Sequence, residues 1–154
     1  MHSFLNLLAI LRGSWEGRHP CRHRRRRTSW TVATSSSWER AWPAGGTDAI
    51  AALYADGATY RALAFRPPDE GLTGVRRYLD ANFAVERETE CWFGEPIVSG
   101  NRAAVEWWGT WIEEGRRLTL AGATVLRFDA DGKVVDHRDY WNEVGQREPP
   151  YVGW

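Results

Sequence analysis

At 154 residues the chain has the length of one domain, and with 43% hydrophobic residues and ten tryptophans it can supply a sizeable core. A formal net charge of zero hides an asymmetry: residues 1–37 hold seven Arg against one Glu, whereas residues 38–154 hold thirteen Lys or Arg against nineteen Asp or Glu. A body that acidic is a poor phosphate-binding surface, so neither nucleic acid nor a membrane is expected as a partner of the folded part.

The apolar run FLNLLAIL (4–11) is too short to span a bilayer, and its Arg cluster follows the run where a signal peptide has it in front. RHPCRHRRRR (18–27) and the TSWTVATSSS after it carry no helical or strand period, so residues 1–37 read as a disordered basic and then polar leader. An anionic-surface anchor is the functional reading of the Arg run. An unstructured extension is the plainer one, favoured because the run joins no folded motif. Cys21 and Cys91 have no spaced partner, which makes both free thiols of a reducing compartment and the protein cytoplasmic by expectation.

A domain over 38–145 and a C-terminal tail over 146–154 are expected. Trp38, Ala41 and Trp42 stand at helical spacing, a Pro-Ala-Gly-Gly break follows, and Thr47 or Asp48 can cap AIAALYA. A short strand is expected around Ala58–Leu63, then a Pro-rich loop AFRPPDEGLT (64–73). GVRRYLDANFAV (74–85) sets Val75, Leu79 and Phe83 at i, i+4 and i+8, the stripe of a helix lying on a sheet. After Val85 four strands are read in succession, over 86–99, 102–115, 116–129 and 133–144, joined by the turn signals SGN, EEGR and DADGK. An antiparallel meander whose only cover is the earlier helices is an α+β fold, helices packed on a curved sheet.

In the last of these strands alternation places His137, Asp139 and Trp141 on one face and Asp136, Arg138 and Tyr140 on the other. A carboxylate between an imidazole and an indole is either solvated or working. Asp139 is the first candidate for a proton acceptor, since an apolar surround disfavours its charged form; the plainer reading is an edge-strand acid paired with Arg127 or Arg138. His137 shares its face and can shuttle a proton, or is a half-exposed residue near the strand start. Tyr60 can donate to a carbonyl or epoxide oxygen, or is core. In the 102–115 strand Glu106 and Trp108 share one face and Trp107 and Trp111 the other. Glu106 pointing inward gives the pocket a second carboxylate; pointing outward it is an ordinary solvated residue. Eight tryptophans from Trp38 onward exceed what a small core demands. Trp92, Trp108 and Trp141, with Glu106, are assigned to substrate binding, and Trp107 and Trp111 to an outer face that forms a homodimer contact. Gly-rich phosphate loop, G-x-S-x-G, H-E-x-x-H and Cys-His pair are all missing, so no cofactor and no metal is expected.

The order of helix, short strand, Pro-rich loop, helix and long-stranded meander closing on DGKVVDHRDYWN resembles the nuclear transport factor 2-like or SnoaL-like superfamily. AWPAGGTDAIAALYADGATY and GLTGVRRYL carry the rest of the likeness, which covers about residues 38–145. It implies a cone in which a bent sheet and the N-terminal helices enclose an apolar pocket. The superfamily holds ketosteroid isomerase, limonene epoxide hydrolase, polyketide cyclases, scytalone dehydratase and many members without catalysis, so function must be argued from the site. HRDYW is most similar to the closing strand of limonene epoxide hydrolases, which sets Asp139 at the position of the water-activating base. Their Tyr matches Tyr60, and their Asn two residues on is Ala62 here. Their Arg and Asp on an earlier strand fall on Glu106 and Trp108, so the general-acid half is missing from the matched positions. The resemblance implies cofactor-independent isomerisation, cyclisation, or water addition or loss on a small apolar oxygenated molecule, with Asp139 as acceptor and His137 or Tyr60 as donor. The alternative is a ligand-binding or dimerising module without catalysis.

Overall fold

The computed structural model describes residues 37–154. The basic leader, apart from Ser37, and Cys21 lie outside the described residues. Residues 37–41 are helical (α1), and the chain then runs through α2 (Thr47–Ala51), β1 (Tyr54–Arg61), β2 (Asp69–Glu70), α3 (Gly71–Val85), β3 (Arg87–Phe93), β4 (Ile97–Ser99), β5 (Arg102–Glu113), β6 (Arg116–Phe128) and β7 (Val134–Val144).

One seven-stranded sheet runs in the order β2-β1-β7-β6-β5-β3, with β4 on the other half of the β5 edge. It is the curved, unclosed sheet of an α+β cone, and it is mixed: β1 pairs with β7 in parallel, while β5, β6 and β7 form antiparallel hairpins. The parallel pair follows from the connection, since α3 and the whole meander separate β1 from β7 and bring the chain back in the same direction. β1 begins at Tyr54, earlier than expected, because α2 ends in a two-residue turn that leads straight into the sheet. The 86–99 segment is two short strands, since the Gly94-Glu95-Pro96 step breaks it and Pro96 has no N–H for a ladder.

The turns follow their chemistry. Glu114 and Gly115, at φ 49° and 76°, make the two-residue β5–β6 loop with both central residues left-handed, the turn whose twist matches a hairpin. After β6, the Asp129 carboxylate accepts the N–H groups of Asp131 and Lys133.

Val75 and Leu79 of α3 are fully buried against Ile50 and Ala51 of α2 and against Tyr54, Ala58 and Tyr60 of β1, and Phe83 packs at the edge of the same cluster. Each such aliphatic side chain contributes about 1.5–3 kcal/mol by leaving water. The helical stripe thus fixes α3 across one end of the sheet and leaves the concave face beyond it open. Residues 146–154 return over the outer face: Arg147 makes a bidentate pair with Glu90 (2.9 and 2.7 Å), and the Tyr151 ring stands edge-on to Trp108 at 6.2 Å. No helix of the described residues is long and apolar enough to cross a membrane.

Candidate functional site

Between α1, α3 and the concave face lies a cavity of about 580 Å³. β7 enters its wall with its odd-numbered residues. His137 and Asp139 are buried, with 4% and 7% of their surface exposed, and Trp141 donates its indole N–H to the Ala62 carbonyl at 3.1 Å. The even-numbered set faces away, where Arg138 pairs with Asp136 and Tyr140 is half exposed. Neither Arg127 nor Arg138 reaches Asp139.

Asp139 is held by three donors. Its Oδ1 accepts from Thr124 Oγ1 (2.5 Å) and His137 Nε2 (2.8 Å), and its Oδ2 accepts from Tyr60 OH (3.1 Å). His137 Nδ1 in turn faces the Tyr54 hydroxyl at 2.7 Å, so a hydrogen-bonded line runs from Tyr54 through His137 to Asp139. Thr124 Oγ1 in turn accepts from Trp107 Nε1 at 2.8 Å, which ties β5, β6 and β7 together below the carboxylate. A carboxylate offers about four lone-pair directions, so three donors leave one on Oδ2 for a ligand.

Burial, with the Asp139 charge adding to it, pushes the Tyr54 and Tyr60 phenols well above the ordinary tyrosine range. Both stay protonated, and so remain donors, at any working pH. Tyr78 of α3 has its ring 4.5 Å from Tyr60 and is raised for the same reasons in the same order, against a smaller lowering by its hydrogen bond with Tyr60. His137 stacks on Tyr60 at 4.0 Å, which fixes the ring between the two phenols.

β5 reverses the face expected of it. Trp107 and Trp111 line the cavity, with Ala103 and Val105 buried on the same face, while Glu106 is exposed on the other side. Trp107 and Trp111 are therefore not an outer-face contact. Trp108 borders the cavity but turns its ring to Tyr151, and its cross-strand neighbour Trp92 stacks under Arg147 at 5.9 Å on that outer side. Trp92 and Glu106 do not reach the cavity. The physical reason is the register of β5 on β6, which sets Val105 beside Thr124 and Gly109 beside Leu120 and so turns the odd positions inward with them. The sequence reading brought His137, Asp139, Tyr60 and Trp141 to one place and missed Tyr54, Thr124, Tyr78 and Trp107. A β-strand Thr or Tyr gives no local sign of a partner far away in sequence.

Towards the α3 end of the cavity stand two further acids. Glu86 Oε2 accepts from Trp42 Nε1 at 3.0 Å and from Thr89 Oγ1 at 3.5 Å, and Glu113 Oε2 accepts from Trp111 Nε1 at 3.2 Å. Burial raises the Glu86 carboxyl above its usual 4.5; its two hydrogen bonds oppose this and the Glu113 charge adds to it. Cys91, also in the wall, is pushed up to about 12 by burial and is an inert thiol there. Among the described residues no cluster of three or more His, Cys, Asp or Glu could hold a metal ion.

Two outcomes follow from this geometry. Thr124→Val keeps the shape but leaves Trp107 Nε1 without its acceptor and removes a donor from Asp139. A loss of about 1–3 kcal/mol is expected in urea unfolding, with Thr124→Ser near the parent. Because Glu86 binds its proton more tightly folded than unfolded, its contribution is full below the unfolded value and is lost as pH rises through the raised one. Glu86→Gln is expected to lose that slope, so its stability relative to the parent should climb as pH rises from the unfolded 4.5 through the raised folded value. A difference that stays flat across that window would remove the burial argument.

The SnoaL-like domain matches residues 36–137 of the chain. Among solved structures the fold is shared with SalBIII, the epoxide hydrolase/cyclase-like enzyme of pyran ring formation in salinomycin, at TM-score 0.65 and 20% identity over 72% of this chain and 89% of that one. An LEH-like epoxide hydrolase of Mycobacterium tuberculosis matches at TM-score 0.64 and 18% identity over 76% and 86%. An NTF2-like protein of unknown function from Exiguobacterium matches at TM-score 0.63 and 18% identity over 71% and 98%. No curated protein matches the sequence.

Proposed function

The chain belongs to the SnoaL-like domain family, and from that premise we propose that it is a cofactor-independent acid–base enzyme acting on a small, largely apolar, oxygenated molecule, with Asp139 as the proton acceptor. The observation that carries this is the Asp139 carboxylate, walled into an aromatic cavity with one Oδ2 direction left over after three internal donors. Such a group is held in position before any substrate arrives, which is what a general base needs.

In the simplest reaction of this kind, Oδ2 takes a proton from a carbon beside a carbonyl, the electron pair of that C–H bond moves into the carbonyl, and the oxygen becomes an enolate. Return of that proton from Asp139 to another carbon of the conjugated system completes an isomerisation; departure of a β-hydroxyl as the enolate pair re-forms the carbonyl and a C=C bond, with the hydroxide taking the Asp139 proton and leaving as water, completes a dehydration. Tyr60 and His137 already donate to Asp139, so they hold the base rather than serve the substrate. We assign the donor to the developing oxyanion to Tyr78, a protonated phenol in the cavity wall beside Tyr60, which turns its O–H from the Tyr60 oxygen to the substrate. The epoxide-opening variant of the chemistry draws less support, since β5 presents Trp107, Gly109 and Trp111 to the cavity and no acid–arginine pair.

The test is consumption of a panel of enones, epoxides and hydroxy-ketones by the parent and by Asp139→Asn. One class consumed by the parent and spared by the variant supports the reading. Tight binding of a class that is never converted would instead leave a ligand-binding module.

A further inference from the structure

Resting on the reading of this cavity as a small-molecule site, we propose that its α3 end, between Glu86 and Glu113, takes a substituted ammonium group, so that the ligand carries a cationic nitrogen at one end and its reacting carbon at the Asp139 end.

The cavity's charges do not balance. Asp139, Glu86, Glu113 and Glu143 line it against one guanidinium, Arg66, on the exposed 62–68 loop. Asp139 has its three donors, and Glu143 lies at the solvent edge. Glu86 and Glu113 are both partly withdrawn from water, and among the described residues neither forms an ion pair. Arg117 pairs with Glu88, Arg87 donates to the carbonyls of Phe83, Ala84 and Glu86, and Arg116, opposite Glu113 in the hairpin, is exposed and unpaired with it. Each acid instead receives an indole N–H, from Trp42 and from Trp111, which satisfies one oxygen and supplies no charge.

A carboxylate half out of water with no counter-charge costs free energy, and the repulsion between Glu86 and Glu113 adds to that cost. One positive charge placed by both relieves both terms. The walls decide which cation. Trp42 and Trp111 offer aromatic carbon rather than the six or more oxygens that calcium or magnesium demands. A weakly hydrated alkylammonium gains from the ring faces by cation–π attraction and from the acids by charge.

Benzoylcholine and its uncharged carbon isostere, in which carbon replaces the ammonium nitrogen, share shape and differ in charge. Tryptophan-fluorescence titration of the full chain with each, at low and at moderate salt, measures the preference. We expect benzoylcholine to bind at least about tenfold more tightly, with the ratio falling as salt rises. Glu86→Gln should lose most of that ratio while holding the isostere within about twofold of the parent, on the order of the ±0.5 kcal/mol of a neutral change. Asp139→Asn should keep the ratio. Equal binding of the two probes would overturn the ammonium site and leave the apolar cavity reading intact. A preference that survives Glu86→Gln but vanishes in Asp139→Asn would overturn it too, by putting the cation at the other end. Failure of both probes to bind the parent would sink the cavity reading itself, and this inference with it.

Discussion

Asp139→Asn is expected to lower turnover by about 10²–10⁴-fold, the contribution of a positioned general base, while the protein still folds. The amide is nearly isosteric with the carboxylate, and the hydrogen-bond pattern sets its orientation. Oδ1 meets two donors, Thr124 and His137, so the amide oxygen must take that place and the NH₂ must face Tyr60. The Tyr60 hydroxyl can rotate to accept from the amide, which keeps the network intact at a cost of about 1 kcal/mol. Asp139→Ala is a harsher change, because it strands three buried donors at about 1–3 kcal/mol each before any cavity cost. Paired kinetics and urea unfolding separate the two effects: the Asn variant should lose rate with no more than about 1 kcal/mol of stability, and the Ala variant should lose rate and several times that stability. A parent rate in Asp139→Asn would remove Asp139 from the chemistry.

Gly122→Ala is expected to destabilise at or above the upper end of the about 1–3 kcal/mol that an overpacked core costs. Gly122 stands in the middle of β6 opposite Trp141, and a Cβ there would lie 2.3 Å from the Tyr140 carbonyl oxygen and 2.9 Å from the Trp141 Cα. Two of the three nearest atoms are β7 backbone, so no rotamer change makes room; the β6–β7 ladder itself must open. That ladder aligns Thr124 with Asp139, so the substitution is expected to weaken the site as well as the fold. Gly57→Ala is the matched control, a β1 glycine at which an added Cβ meets nothing within 4 Å. Urea midpoints of the two variants check the contrast. Similar midpoints would mean that the sheet yields at β6 more easily than its geometry says.

Local periodicity is written in the chain and needs no tertiary partner, so what depends on it was legible from the sequence. The i, i+4, i+8 stripe of Val75, Leu79 and Phe83 made α3 and chose its buried face. Alternation put His137, Asp139 and Trp141 on one side of β7, and the aromatic setting of that strand marked Asp139. Alternation also divided β5 correctly into two sets, Glu106 with Trp108 and Trp107 with Trp111. It could not say which set faces inward, because a period of two fixes parity and leaves the sign to the register against a neighbour. That sign was decided by the β5–β6 pairing, which turned Trp107 towards Thr124 and sent Glu106 outside. The partners of Asp139 and His137 were likewise decided only by the fold. Tyr54 and Tyr60 reach them through the parallel β1–β7 pair, across 83 and 79 residues of sequence. Hydrogen bonds over such separations depend on where two strands come to lie side by side, and no pattern within either strand records it.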